Sequence, residues 1–266
     1  MIPFANRHVR RDMQMMICIA PAKRMRKDIA YLDAQGTPKL LKETKQLAKI
    51  MQQQDVSALR HILSCSERIA QEAYQIFQTM QLTQNVVPAL LAYDGIQYTY
   101  MAPDIFSDEQ FAYVQKHLRI LSGFYGVLKP LDGVVPYRLE INSLLRTDTF
   151  CNLYAFWQDK LYRELIQESS VIVDLASAQY SRCITRYKRD AIRYVKCRFM
   201  EETKDTLKEK GVYVKMARGE MVRYMAEHQI TDIEDIKQFQ GLGYRFQETL
   251  SSSEEFIFTR AFPRKK

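Results

Sequence analysis

Val171-Ile-Val-Asp-Leu-Ala-Ser-Ala-Gln-Tyr180 is an apolar run with one acid inside it, followed by residues able to start a helical turn. In α/β sheets, strands that end this way place functional groups at their carboxyl ends. A second run, Met15-Met-Ile-Cys-Ile-Ala20, has strand length and is stopped by Pro21. Between these runs, residues 39–51 and 55–80 carry apolar side chains at helical spacing. Ala89 to Tyr93 predicts a short strand, with Asp94-Gly95 as its turn. Ser107-Asp-Glu-Gln110 is a capping box, and its helix would bury Phe111, Val114 and Leu118. Asn152 to Ile166 predicts another amphipathic helix, with Trp157 as a core anchor.

Further on, 191–200 and 211–216 alternate like strands, with a charged tip between them at 201–210. A helix is expected over 218–230, then a second capping box at Thr231-Asp-Ile-Glu234 and a hairpin from 243–246 and 255–259. The expectation is α/β: one compact domain over residues 15–266, a mixed β-sheet with surrounding helices. Residues 1–14 would be a flexible extension or the product of an upstream start codon.

Composition narrows the class. The chain has 266 residues, 47% apolar and 26% charged, as ordinary globular proteins do. No apolar run approaches the ~20 residues of a membrane span, and no secretory signal is recognisable. Five scattered cysteines without a CxxC pair argue against a zinc ribbon or a disulfide framework. They point to a reducing cytoplasm. The four histidines lack metal-ligand spacing, so neither a bound metal nor another cofactor is expected. The net charge is +8, concentrated in residues 1–27 and 181–223, which suggests an anionic partner.

One loop holds an unusual density of special residues. Leu118-Arg-Ile-Leu-Ser-Gly-Phe-Tyr-Gly-Val-Leu-Lys-Pro-Leu-Asp-Gly-Val-Val-Pro-Tyr-Arg-Leu-Glu-Ile141 has three glycines and two prolines around Arg119, Lys129, Asp132, Arg138 and Glu140. Gly123 and Gly126 allow positive φ or close backbone approach. Other polar groups near element ends are Lys23, Asp174, Ser177, Lys215 and Arg218. Lys and Arg at such points suit phosphate. No phosphate-loop, dinucleotide or nucleophile-elbow motif is present.

These same segments carry a resemblance. Cys18-Ile-Ala-Pro-Ala-Lys23, Leu118 to Asp132, Pro136-Tyr-Arg-Leu-Glu140, Asp174-Leu-Ala-Ser177, Lys215-Met-Ala-Arg-Gly219 and Ser251-Ser-Ser253 resemble, in order, the signature blocks of the YaaA family of bacterial peroxide stress proteins. Ala20 stands where that family's first block has Ser. The resemblance implies a cytoplasmic protein that binds duplex and branched DNA with little sequence preference. It also implies a role in limiting oxidative DNA damage and free iron. A helix-hairpin-helix-like element would lie at Ser122-Gly-Phe-Tyr-Gly126.

Two readings follow. In the first, Lys23, Arg119, Ser122, Gly123, Tyr125, Gly126, Lys129, Arg138, Lys215, Arg218 and Arg223 form a basic cleft that neutralises DNA phosphates. In the second, the chain is an enzyme acting on a small anionic or nucleotide-like substrate. Its pocket would hold Asp174, Ser177, Arg138, Lys215 and Arg218, with Asp174, Ser177, Tyr180 and Glu140 as catalytic candidates.

Overall fold

The computed structural model describes residues 15–29, 31–203 and 206–261. The expected extension at 1–14, with its cations, lies outside the described residues, as does part of the charged tip.

Met15–Ile19 (β1) is buried along its whole length, which is why its sequence is apolar without alternation. The other strands of its sheet are Leu118–Ser122 (β2), Gly126–Leu128 (β3), Val171–Asp174 (β4), Arg193–Glu202 (β5), Leu207–Lys208 (β6), Arg245–Phe246 (β7) and Glu255–Ala261 (β8). Their order is β7-β8-β5-β4-β1-β2-β3, and β6 pairs with β5. The five central strands from β8 to β2 run parallel; β3, β6 and β7 are antiparallel additions. The chain is therefore a single compact α/β domain with a mixed sheet.

The topology creates a switch point. From β1 the chain crosses to β2 on one side, and from β4 it crosses to β5 on the other. The connections leaving the adjacent carboxyl ends of β1 and β4 thus diverge, and crevices in open parallel sheets form at such places.

Helices cover the sheet: Leu41–Gln52 (α1), Val56–Leu63 (α2), Glu67–Thr79 (α3), Ile96–Met101 (α4), Asp108–His117 (α5), Leu153–Trp157 (α6), Lys160–Glu168 (α7), Ala178–Thr185 (α8) and Gly211–Glu227 (α9). Ser107 caps α5 through a full capping box, as its sequence implied. Trp157 is buried and donates its indole N–H to the Gly123 carbonyl at 2.9 Å. The terminal hairpin forms as β7 and β8.

Several expectations need correction. The stretch after Asp55 is two helices, because Ser64 turns left-handed at φ 46° and closes α2. Residues 152–166 divide likewise at Gln158, with φ 48°. Ala89–Ala92 is a helical turn, and only Tyr93–Asp94 is extended, pairing with Arg24–Met25. Leu118 starts a strand and does not end a helix. The alternating 211–216 opens α9, a helix buried on several sides. In place of the second capping box, Asp232 alone caps a short 3-10 helix. Ser122 to Gly126 is the turn of a β-hairpin between β2 and β3, not a helix-hairpin-helix. The Ser122 hydroxyl oxygen accepts from the Phe124 and Tyr125 N–H groups at 3.1 and 2.9 Å. Both glycines are required there. Gly126 has φ 77°, and a Cβ on Gly123 would lie 2.5 Å from the Leu139 carbonyl oxygen.

Candidate functional site

The acid of the opening sequence, Asp174, ends β4 and is fully buried. One carboxylate oxygen accepts from the Ala176 N–H at 2.8 Å, so it orders the turn into α8. The other accepts from the Tyr194 hydroxyl and lies 3.5 Å from Lys196 Nζ. Lys196 in turn donates to Ser181 Oγ at 2.8 Å. Burial, then the nearby Asp174 charge, push the Tyr194 phenol up, so it serves as a donor. Ser177 precedes α8, where its carbonyl accepts from the Tyr180 and Ser181 N–H groups at 2.9 Å.

Across the switch point, the loop after β1 brings Lys23 within 3.3 Å of Glu140 Oε1. Arg138 lies 3.6 Å from the same oxygen. Neither cation reaches it in hydrogen-bonding geometry, and Arg138 Nε also lacks a partner. Behind them stands a wall of phenols. The Tyr137 hydroxyl meets those of Tyr93 (2.8 Å) and Ser122 (2.6 Å). The Tyr98 hydroxyl donates to the Ala20 carbonyl at 3.0 Å, and Tyr180's accepts from the Ile141 N–H at 3.3 Å. Burial raises all four phenols, Tyr137 to about 12, so they remain neutral.

Arg218 approaches from α9 and is nine-tenths buried. Burial pulls its guanidinium down, and Asp174 within electrostatic reach offsets part of that. Its neighbour Gly219 lets α9 press onto α4, because a Cβ there would lie 2.0 Å from the Gln97 carbonyl oxygen. Lys23, Arg138, Glu140, Asp174, Tyr180 and Arg218 are thus gathered around the carboxyl ends of β1 and β4.

Other sequence-predicted residues are elsewhere. Arg119 is buried at the start of β2, ion-paired with Glu168 and donating to the Gln115 and Leu118 carbonyls. Lys129 lies 3.7 Å from the same Glu168, and Asp132 accepts the Lys129 N–H at 2.8 Å. The Tyr125 hydroxyl accepts from the Val135 N–H at 3.0 Å inside the core. Arg223 pairs with Glu227 at 2.7 Å, and Lys215 is exposed on α9.

A second basic region was not singled out from sequence. A groove of about 610 Å³ runs between the loop after Ile141 and α8, and its lining holds Arg146, Arg182, Arg186 and His61 but no Asp or Glu. Among the described residues, none of these arginines makes an ion pair. Arg182 sits 5.4 Å over the Tyr154 ring. Arg182 and Arg186 fall four apart at the carboxyl end of α8, where the helix dipole tolerates cations although the pair repels. The Ser143 hydroxyl, in the same lining, is buried without a partner. Among the described residues, no three His, Cys, Asp or Glu side chains gather as metal ligands, and no helix is long and apolar enough to cross a membrane.

The family model for peroxide stress protein YaaA matches residues 15–250. The chain belongs to the YaaA family of peroxide stress proteins. A UPF0246 protein of Desulfitobacterium hafniense is 52% identical over 251 residues, covering 94% of this chain and all of that one. UPF0246 proteins of Agathobacter rectalis and Limosilactobacillus reuteri are 44% and 43% identical, each over 92% of this chain and 99% and 98% of their own. The match begins where β1 begins, so every element of both basic regions lies inside the YaaA segment.

Proposed function

We propose that this YaaA-family chain protects DNA in the cytoplasm during peroxide stress by holding the phosphate backbone of duplex or branched DNA along the arginine groove. The observation that carries this reading is the set Arg146, Arg182 and Arg186, three exposed guanidiniums sharing a lining without an acid. Arg119, Arg138, Arg198, Arg223 and Arg260 each have a carboxylate within ion-pair range instead. Unpaired guanidiniums donate to phosphate oxygens through their planar forks, and a phosphate between Arg182 and Arg186 relieves their mutual repulsion. Backbone contacts of this kind carry no sequence information, so the binding is sequence-tolerant.

The test is a salt titration of a labelled duplex and a four-way junction. The expected slope of log affinity against log salt is steeper than about −4. Replacing Arg146, Arg182 and Arg186 together by Ala should flatten it by about 3. Absence of binding at low salt, or a slope untouched by the triple substitution, overturns the proposal.

A further inference from the structure

Among the described residues, six buried side-chain atoms have no hydrogen-bond partner in the protein, and four of them belong to the switch point: Gln97 Nε2, Arg138 Nε, Glu140 Oε1 and Arg218 Nε. Gln97 and Arg218 are only 7% and 9% exposed. Buried donors left unpaired are costly and uncommon. Their common location follows from the backbone. The α4 turn carrying Gln97 also carries Tyr98, bonded to Ala20, and Gly219 seats Arg218's helix on Gln97. On the Lys23 side, a cavity of about 590 Å³ reaches Tyr137 and Arg138.

The inventory of unmet groups has a pattern. Three are N–H donors, on Gln97, Arg138 and Arg218, and one is an acceptor, on Glu140. The cations Lys23, Arg24, Lys27, Arg138, Lys196 and Arg218 outnumber by one the acids Glu72, Asp94, Glu140, Asp174 and Glu209 around them. Donors in excess, with net positive charge, fit a ligand rich in anionic oxygen; the lone acceptor fits a hydroxyl or an amine. A DNA backbone cannot reach donors buried to this degree, which sets the site apart from the arginine groove.

We infer that the switch point between β1 and β4 binds a small organic oxyanion, a carboxylate or a phosphate ester, that carries a hydroxyl or amine beside its anionic group. Lys23 and Arg138 stand at the mouth, Gln97 and Arg218 donate within, and Glu140 accepts from the ligand. The inference does not depend on DNA binding.

Titration calorimetry on the full chain without DNA tests it, with glycerol 3-phosphate, L-malate and inorganic phosphate as probes and glycerol as the neutral control. Saturable binding of glycerol 3-phosphate or of malate is expected, and the probe that responds decides between phosphate ester and carboxylate. Gln97→Met and Arg138→Met should each weaken it by about tenfold or more. The Arg146, Arg182 and Arg186 triple substitution should leave it unchanged. No saturable heat with any probe up to about 10 mM, or binding by both Met variants as tight as by the wild type, overturns the inference; the orphaned donors are then served by water. Inorganic phosphate binding as tightly as glycerol 3-phosphate overturns the role given to Glu140.

Discussion

In the arginine groove, Arg146, Arg182 and Arg186 face solvent with no acid in the lining, whereas at the switch point Lys23, Arg138 and Arg218 stand beside Glu140 and Asp174. Both regions are basic, but the cations differ in what they are free to do. An exposed guanidinium without a partner loses little hydration when it meets a phosphate and releases counterions as it does so. A buried one such as Arg218 has already lost its water and stands only within electrostatic reach of Asp174, so it can serve only a ligand small enough to enter. Net charge therefore does not distinguish these two basic regions, and partner geometry does.

The sharpest way to break this comparison is to remove the carboxylate at its centre. Asp174→Ala leaves the buried Arg218 and the half-buried Lys196 beside an empty position, and urea denaturation should report a loss of about 3–5 kcal/mol. A loss below about 1 kcal/mol would mean that water already screens the cluster. Next in size is Gly219→Ala. Its methyl group would fall 2.0 Å from the Gln97 carbonyl oxygen, forcing α9 off α4. A destabilisation of about 3 kcal/mol is expected.

The groove should behave in the opposite way. The triple substitution of Arg146, Arg182 and Arg186 should change stability by no more than about 0.5 kcal/mol while the salt slope collapses. A large stability loss there would show that the arginines are structural, and the contrast would fail.

The smallest expected effect lies at the other end of the sheet and serves as a control. His117 is buried, bonds the Met15 carbonyl through Nδ1 at 2.8 Å and stacks on Tyr113. Burial lowers its pKa from 6.5, so the folded state takes up a proton less readily than the unfolded chain. Its stabilisation is complete above pH 6.5 and fades as the pH falls through that value toward the folded pKa. His117→Gln should flatten this part of the stability profile, while the groove variant should leave it as it is. Equal profiles for wild type and His117→Gln would remove His117 from the account.

How much of this was legible in the chain can be followed residue by residue. Met15 to Ala20 announces a central strand because burial on both faces demands unbroken apolarity, and Pro21 ends it. Val171 to Asp174 announces a second strand with its acid at the carboxyl end. The Ser107 box marks a helix start because its bonds are local. Residues 211–216 mislead because α9 buries Val214, Ala217, Met221, Val222 and Met225 on several sides, which erases the one-faced periodicity of a surface helix. Leu118 continues the apolar stripe of α5 and reads as helix; only pairing with β1 makes Leu118–Ser122 a strand, and so makes Ser122 to Gly126, where the family resemblance implied a helix-hairpin-helix, a β-hairpin turn.

The sequence alone determined what its local chemistry enforces: which strands are buried, where the Ser107 helix is capped, and that the chain carries excess positive charge. Tertiary structure decided which of those charges are spent. Glu140 reaches Lys23, and Glu168 reaches Arg119 and Lys129, across wide separations in the chain, whereas among the described residues no acid comes within ion-pair range of Arg146, Arg182 or Arg186. The reason is physical: ion pairing depends on distance and burial, and both are set by the order of strands in the sheet rather than by neighbours along the chain.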